Sequence, residues 1–136
     1  MNQPRTFVDT NILLYSLSPS SDPKSSRANE VILALKSQMV VSTQVLQEFY
    51  AVSTRKRFVQ PQVARSLVME LSEGEVVSTT ATLISDAIDL SIVNGFSIWD
   101  SLIVQAAIQS RCSRLLTEDL QNGQMIKGVR IENPFL

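Results

Sequence analysis

Short apolar runs, set between longer stretches of helical periodicity, restrict the fold of this chain more than any other feature. The segment Arg5 to Val8 is such a run and ends in Asp9. Met39-Val40-Val41-Ser42, Glu75-Val76-Val77, Arg114-Leu115-Leu116 and Val129-Arg130-Ile131 are the others. Each is too short for a helix and reads as a buried strand. Between them lie amphipathic stretches. Lys24 to Ser37 carries Ala28, Val31, Ile32 and Leu35 at i, i+3, i+4 and i+7, one apolar stripe. Thr43 is placed to cap a helix reaching about Lys56, with Val45, Leu46, Phe49 and Val52 inward. Gln60 or Pro61 opens a helix to about Leu71, with Val63, Leu67 and Leu71 in register. Thr80 caps Ala81 to Asn94, which Asn94-Gly95 ends. Helices alternating with four or five short strands predict a three-layer α/β/α sandwich around a short, mainly parallel sheet. A length of 136 residues makes residues 1–136 one domain.

The opening run also delivers an acid. A strand ending in Asp9, with a helix beginning near Asn11, puts a carboxylate at the carboxyl edge of the sheet. Ligands of open α/β sheets bind there. The plain structural alternative is that Asp9 or Thr10 caps the helix. Three more acids share this placement. Glu48 sits beside the apolar face of its helix, between Val45 and Val52, where an acid at the helix edge is the simpler reading. Asp100 follows Ser97 by three, which resembles a capping box and also puts a carboxylate in the first turn of a buried helix. Asp119 follows the strand ending at Leu116, as Asp9 follows the first.

Composition narrows the chemistry. The chain has no histidine and one cysteine, Cys112. Histidine-based acid–base and nucleophilic catalysis are excluded, as are nearly all zinc sites. A metal here needs oxygen ligands, which points to Mg²⁺ or Mn²⁺. Four carboxylates brought together without cations would repel; a divalent ion removes that cost. Cys112 reads as a packing residue. A lone cysteine, no signal-peptide pattern and no apolar run near ~18 residues point to a cytoplasmic protein without a membrane span. The net charge is −1. Setting four of the 13 acids aside leaves 12 bases against 9 acids, a mildly basic remainder. Arg55-Lys56-Arg57 at a helix C-terminus suits the helix dipole and is equally able to meet phosphate. Trp99 reads as a core residue rather than a base-stacking platform.

The runs FVDTNILLY, TQVLQEFYAV, SIWDSLIVQAA and LLTEDL closely resemble the PIN-domain family, and GVRIENPF is similar to the ending of one of its subgroups. Within that family the likeness is to VapC-type ribonuclease toxins of bacterial toxin–antitoxin pairs. The resemblance implies an endoribonuclease dependent on Mg²⁺, with Mn²⁺ as an alternative. Asp9, Glu48, Asp100 and Asp119 would carry the metal, with Thr10, Asn11 and Thr117 as supporting polar residues. Glu118 departs from the pattern by adding an acid beside Asp119; the family's acid falls two residues after the threonine, which favours Asp119. The implied partners are an RNA substrate, a cognate antitoxin and a second copy of the chain. Lys24–Ser37, Gln60–Leu71, Phe49, Tyr50 and Phe58 are placed to form a groove for an amphipathic antitoxin helix.

Three other functions compete. An aspartyl-phosphate phosphatase also begins with a strand ending in Asp, but needs a second Asp where this chain has Asn11. A non-catalytic RNA- or protein-binding module would not need the acids. A housekeeping nuclease would lack the antitoxin.

Overall fold

The computed structural model describes residues 3–136. Six strands form one sheet: β1 (Thr6–Val8), β2 (Met39–Ser42), β3 (Glu75–Val77), β4 (Arg114–Leu116), β5 (Met125–Ile126) and β6 (Val129–Glu132). Their order is β3-β2-β1-β4-β6-β5, and every pairing is parallel except β5 with β6. From β1 the chain moves outward to β2 and β3 on one side, then crosses back to β4 on the other. The order therefore reverses between β1 and β4, and a crevice opens at the carboxyl ends of such a pair.

Six α-helices complete a three-layer α/β/α sandwich: α1 (Thr10–Ser16), α2 (Pro23–Leu35), α3 (Thr43–Arg55), α4 (Pro61–Ser72), α5 (Ala81–Asn94) and α6 (Ile98–Gln109). Helix α6 packs against β1, β2, β4 and β6, with α5 against it. Asp100 is its only charged residue, and it is buried along most of its length. A helix apolar all round belongs inside a core. No single helix among the described residues is long and apolar enough to cross a membrane. Phe7, Val8, Val40, Leu115, Leu116 and Ile131 are wholly buried at the centre. Cys112 is buried and unpaired, as a packing residue.

Several elements differ from the sequence expectation. β5 has only two residues and no pattern of its own; antiparallel pairing with β6 creates it. Helix α2 stops at Leu35 and tightens into a 3₁₀ turn over Lys36–Gln38. Ser42, not Thr43, caps α3: its Oγ accepts from the Val45 amide at 3.3 Å. No linker separates β2 from α3, so the last strand residue serves as cap. Thr43 instead donates to Thr79 Oγ1 at 2.9 Å. Helix α4 turns Ala64 inward and leaves Val63 exposed. Trp99 is 66% exposed, because burial in α6 begins only at Ser101.

After α3 the chain closes a Schellman turn. The Phe58 amide donates to Ser53 O at 2.9 Å and the Arg57 amide to Thr54 O at 3.1 Å. Arg57 takes the left-handed position, φ 58°, where glycine is the usual residue. Arg57→Gly is expected to leave stability unchanged or raise it by up to about 1 kcal/mol, since a left-handed side-chain residue costs about that much. A denaturant midpoint lowered by the change would show that the arginine side chain contributes contacts to the fold.

Candidate active site

Every carboxylate expected from the sequence lies around the crevice between β1 and β4. Asp9 follows β1, and its amide extends the ladder by donating to Leu116 O at 3.0 Å. It is also the N-cap of α1, so capping and a place in the site coexist. The side chain is 6% exposed. Its Oδ1 accepts from the Thr10 amide at 2.7 Å and its Oδ2 from Thr117 Oγ1 at 2.8 Å. The same Thr117 hydroxyl accepts from the Asp119 amide at 3.1 Å. One buried threonine thus joins the ends of β1 and β4.

Glu48 reaches the crevice from α3. Thr10 Oγ1 donates to its Oε2 at 3.2 Å, and Gln44 Nε2 to its Oε1 at 2.8 Å. Gln44 Nε2 also lies 3.3 Å from Trp99 O, which ties α3 to the turn carrying Asp100. Asp100 enters by another route. Gly95, in the left-handed conformation, ends α5, and Ser97 Oγ caps α6 by accepting from the Asp100 amide at 3.1 Å. Asp119 is exposed and receives Asn11 Nδ2 on its Oδ2 at 3.1 Å. All three supporting residues therefore contact one of the acids directly.

Burial and neighbouring charge both show in the acidities of Asp9 and Asp100. Burial, opposed by hydrogen bonds from Thr117 and Thr10 and reinforced by the charges of Asp119 and Glu48, pushes Asp9 up to about 7. Asp100 is raised by burial and by the same two neighbours. The charges of Asp119 and Glu48 thus act on both Asp9 and Asp100.

Glu118 is held elsewhere. Tyr15 donates its hydroxyl to Oε1 at 2.7 Å, and Lys24 Nζ meets Oε2 at 2.9 Å. Burial pushes this carboxyl up, but the hydrogen bonds from Tyr15 and Lys24 outweigh it and leave Glu118 below its ordinary range. Lys24 also lies 4.7 Å from the Tyr15 ring centroid and 5.2 Å from that of Phe135. Sequence reading missed Tyr15, Lys24 and Gln44. Only Gln44 left a signal, its i, i+4 spacing to Glu48.

The donor set fits a hard divalent cation: every candidate ligand atom is oxygen, and Asp9 and Asp100 are both held above their ordinary range without one. Among the described residues no three acids close around a single point. Mg²⁺ does not need that, since it binds one or two carboxylates directly and keeps several waters, which the remaining acids would hold. Asn11 Oδ1 and Ser101 Oγ are buried without a hydrogen-bond partner beside Asp119 and Asp100.

Comparison with known proteins identifies the family and the fold. The PIN domain pattern matches residues 6–123. The chain therefore belongs to the PIN domain family. A search of curated protein sequences gave no significant match. Solved structures share the fold at low identity. A toxin–antitoxin complex from Klebsiella pneumoniae superposes with a TM-score of 0.73 at 22% identity, covering 95% of this chain and 97% of that one. A sarcin-ricin loop cleaving VapC toxin of Mycobacterium tuberculosis gives 0.68 at 18%, covering 81% and 86%. DNA-bound VapBC from Salmonella typhimurium gives 0.68 at 20%, covering 97% and 99%.

Proposed function

We propose that this PIN domain is a metal-dependent endoribonuclease and the toxin of a toxin–antitoxin pair. The observation that carries the reading is the gathering of four acids at the β1/β4 crevice, where burial, reinforced by the charges of Asp119 and Glu48, pushes Asp9 up to about 7. Asp9, Glu48, Asp100 and Asp119 would hold Mg²⁺ or Mn²⁺. When bound, the ion supplies positive charge at a phosphodiester and a water made more acidic. The chain's own residues do the rest. Thr117 and Thr10 fix the carboxylates of Asp9 and Glu48, and Asn11 orients Asp119. Gln44 holds Glu48 from its other oxygen. The relative from M. tuberculosis is described as cleaving the sarcin-ricin loop, which supports an RNA substrate.

The test is cleavage of RNA by the purified chain. Cleavage is expected with Mg²⁺ or Mn²⁺, lost in EDTA and restored by adding the metal back. Binding of RNA without cleavage would favour a non-catalytic module.

The partner reading rests on those relatives that are toxin–antitoxin assemblies and on a groove of about 420 Å³ between α2 and α4. Leu17, Ile32, Leu33, Leu67 and Leu71 line it, with buried Phe49 as part of its wall. Tyr50 and Phe58 do not line it, contrary to expectation. An amphipathic antitoxin helix fits such a groove, and a basic side chain reaching the four acids would replace the metal's charge. A small adjacent reading frame whose product binds the chain and suppresses cleavage is the expected result. A product that does neither would leave a housekeeping nuclease. Self-association is supported by Ile84, Ile88 and Ile92, an exposed row at i, i+4, i+8 on α5. The expected mass in solution is that of a dimer; a strict monomer removes this part.

A further inference from the structure

A second cavity, of about 190 Å³, shares the Asn11 wall with the acidic crevice. Leu14, Tyr15 and Ser18 form its α1 side, Glu118 its β4 side, and Lys56 and Phe58 close it from the turn after α3. Three features distinguish it from ordinary packing. Phe58 is half-buried yet stands apart from the hydrophobic core and the apolar residues packed on it. The Schellman turn carries the chain back through Phe58, so this ring is placed by a defined backbone geometry. Arg55, Lys56 and Arg57 are exposed beside it, and among the described residues no acid pairs with any of them.

We propose that this cavity is a nucleotide subsite, in which a single-stranded RNA base flanking the scissile phosphate stacks on Phe58 while Lys56 holds the adjoining phosphate. The inference rests on the nuclease reading above and extends it to substrate binding. The chemistry matches a base rather than a protein side chain. A flat aromatic surface takes a base face with little regard to sequence. Glu118 and Ser18 supply polar groups for a base edge. The basic triplet supplies backbone charge next to an acidic centre that would otherwise repel RNA. Asn11, whose Nδ2 donates to Asp119 at 3.1 Å, puts the subsite directly beside the acidic crevice.

The test uses an unstructured, fluorescently labelled RNA of about eight nucleotides, within the usual span of a single-strand site. Binding is measured in Mg²⁺ with the Asp9→Asn protein, to prevent cleavage. Adding Phe58→Ala is expected to lower affinity roughly five- to hundredfold with an unchanged salt slope, the signature of a lost stack. Adding Lys56→Ala is expected to flatten the plot of log affinity against log salt by about 0.7, the loss of one phosphate contact to a single strand. Phe58→Trp keeps the aromatic ring and guards against misfolding of the alanine variant. It should bind as well as the parent, and RNA should quench its fluorescence beyond any change at Trp99. Unchanged affinity in a folded Phe58→Ala protein, or an unquenched Phe58→Trp, overturns the subsite. If the unmutated chain meanwhile cleaves RNA with Mg²⁺, only the subsite fails. If it neither binds nor cleaves RNA, the nuclease reading fails too. Loss of a partner protein, but not of RNA, on Phe58→Ala would assign the cavity to that partner instead.

Discussion

Asp9→Asn is expected to stabilise the metal-free protein at pH 8 by about 2–4 kcal/mol, because one pKa unit is worth about 1.4 kcal/mol and this carboxyl lies about three units above its ordinary value. The sign follows from proton counting. Between the ordinary value of 3.8 and about 7, the folded state keeps the Asp9 proton and the unfolded chain does not. Stability from this group is complete below 3.8 and is lost as pH rises through about 7. Metal-free protein should therefore weaken from about pH 4 to pH 8, and Asp9→Asn should remove most of that slope. Asn caps a helix as well as Asp does, so α1 keeps its start. Asp9→Ala lacks the cap and should fall below Asp9→Asn by about 0.5–2 kcal/mol. Urea melts of the three proteins at pH 5 and pH 8, in EDTA, check this. An Asp9→Asn protein that is less stable than the parent at pH 8 would mean that the carboxylate is a structural cap and nothing more. Glu118 works in the opposite sense, since its carboxyl lies below its ordinary value. Its contribution is present above that value and lost on acidification.

Asp119→Ala is expected to cut RNA cleavage by about a hundredfold or more, the scale of losing one preorganised charged group at a reacting centre. Glu118→Ala should keep cleavage within about tenfold, the lower end of what supporting residues around a metal contribute. The two acids are adjacent but are held apart. Asp119 is drawn to Asn11 beside the crevice, while Tyr15 and Lys24 hold Glu118 away from it. Initial cleavage rates on one RNA decide between them. The reverse ranking would make Glu118 the ligand and would require the Lys24 ion pair to break on metal binding.

The main lines of this arrangement were legible because they are local. Asp9 and Asp119 follow short apolar strands, Asp100 sits three after a capping serine, and each signal spans a few residues. The parallel sheet followed from alternation of strand and helix. What escaped was long-range. Tyr15 and Lys24 meet Glu118 across 103 and 94 positions, and nothing in their neighbourhoods announces it. Trp99 reads from the sequence as a core residue, but it lies in the first turn of α6, ahead of the residues the core covers. The Ser42 cap escaped because strand and helix meet at that residue with no linker between them.

Calorimetric titration of the purified chain with Mn²⁺ at neutral pH asks whether Asp9, Glu48, Asp100 and Asp119 form one metal centre. Saturable binding is expected. Asp9→Asn, Glu48→Gln, Asp100→Asn and Asp119→Ala should each weaken it by at least about tenfold, a loss that even supporting residues can cause, and Glu118→Ala should leave it nearly unchanged. Equal Mn²⁺ affinity in the parent and all four variants would contradict the account.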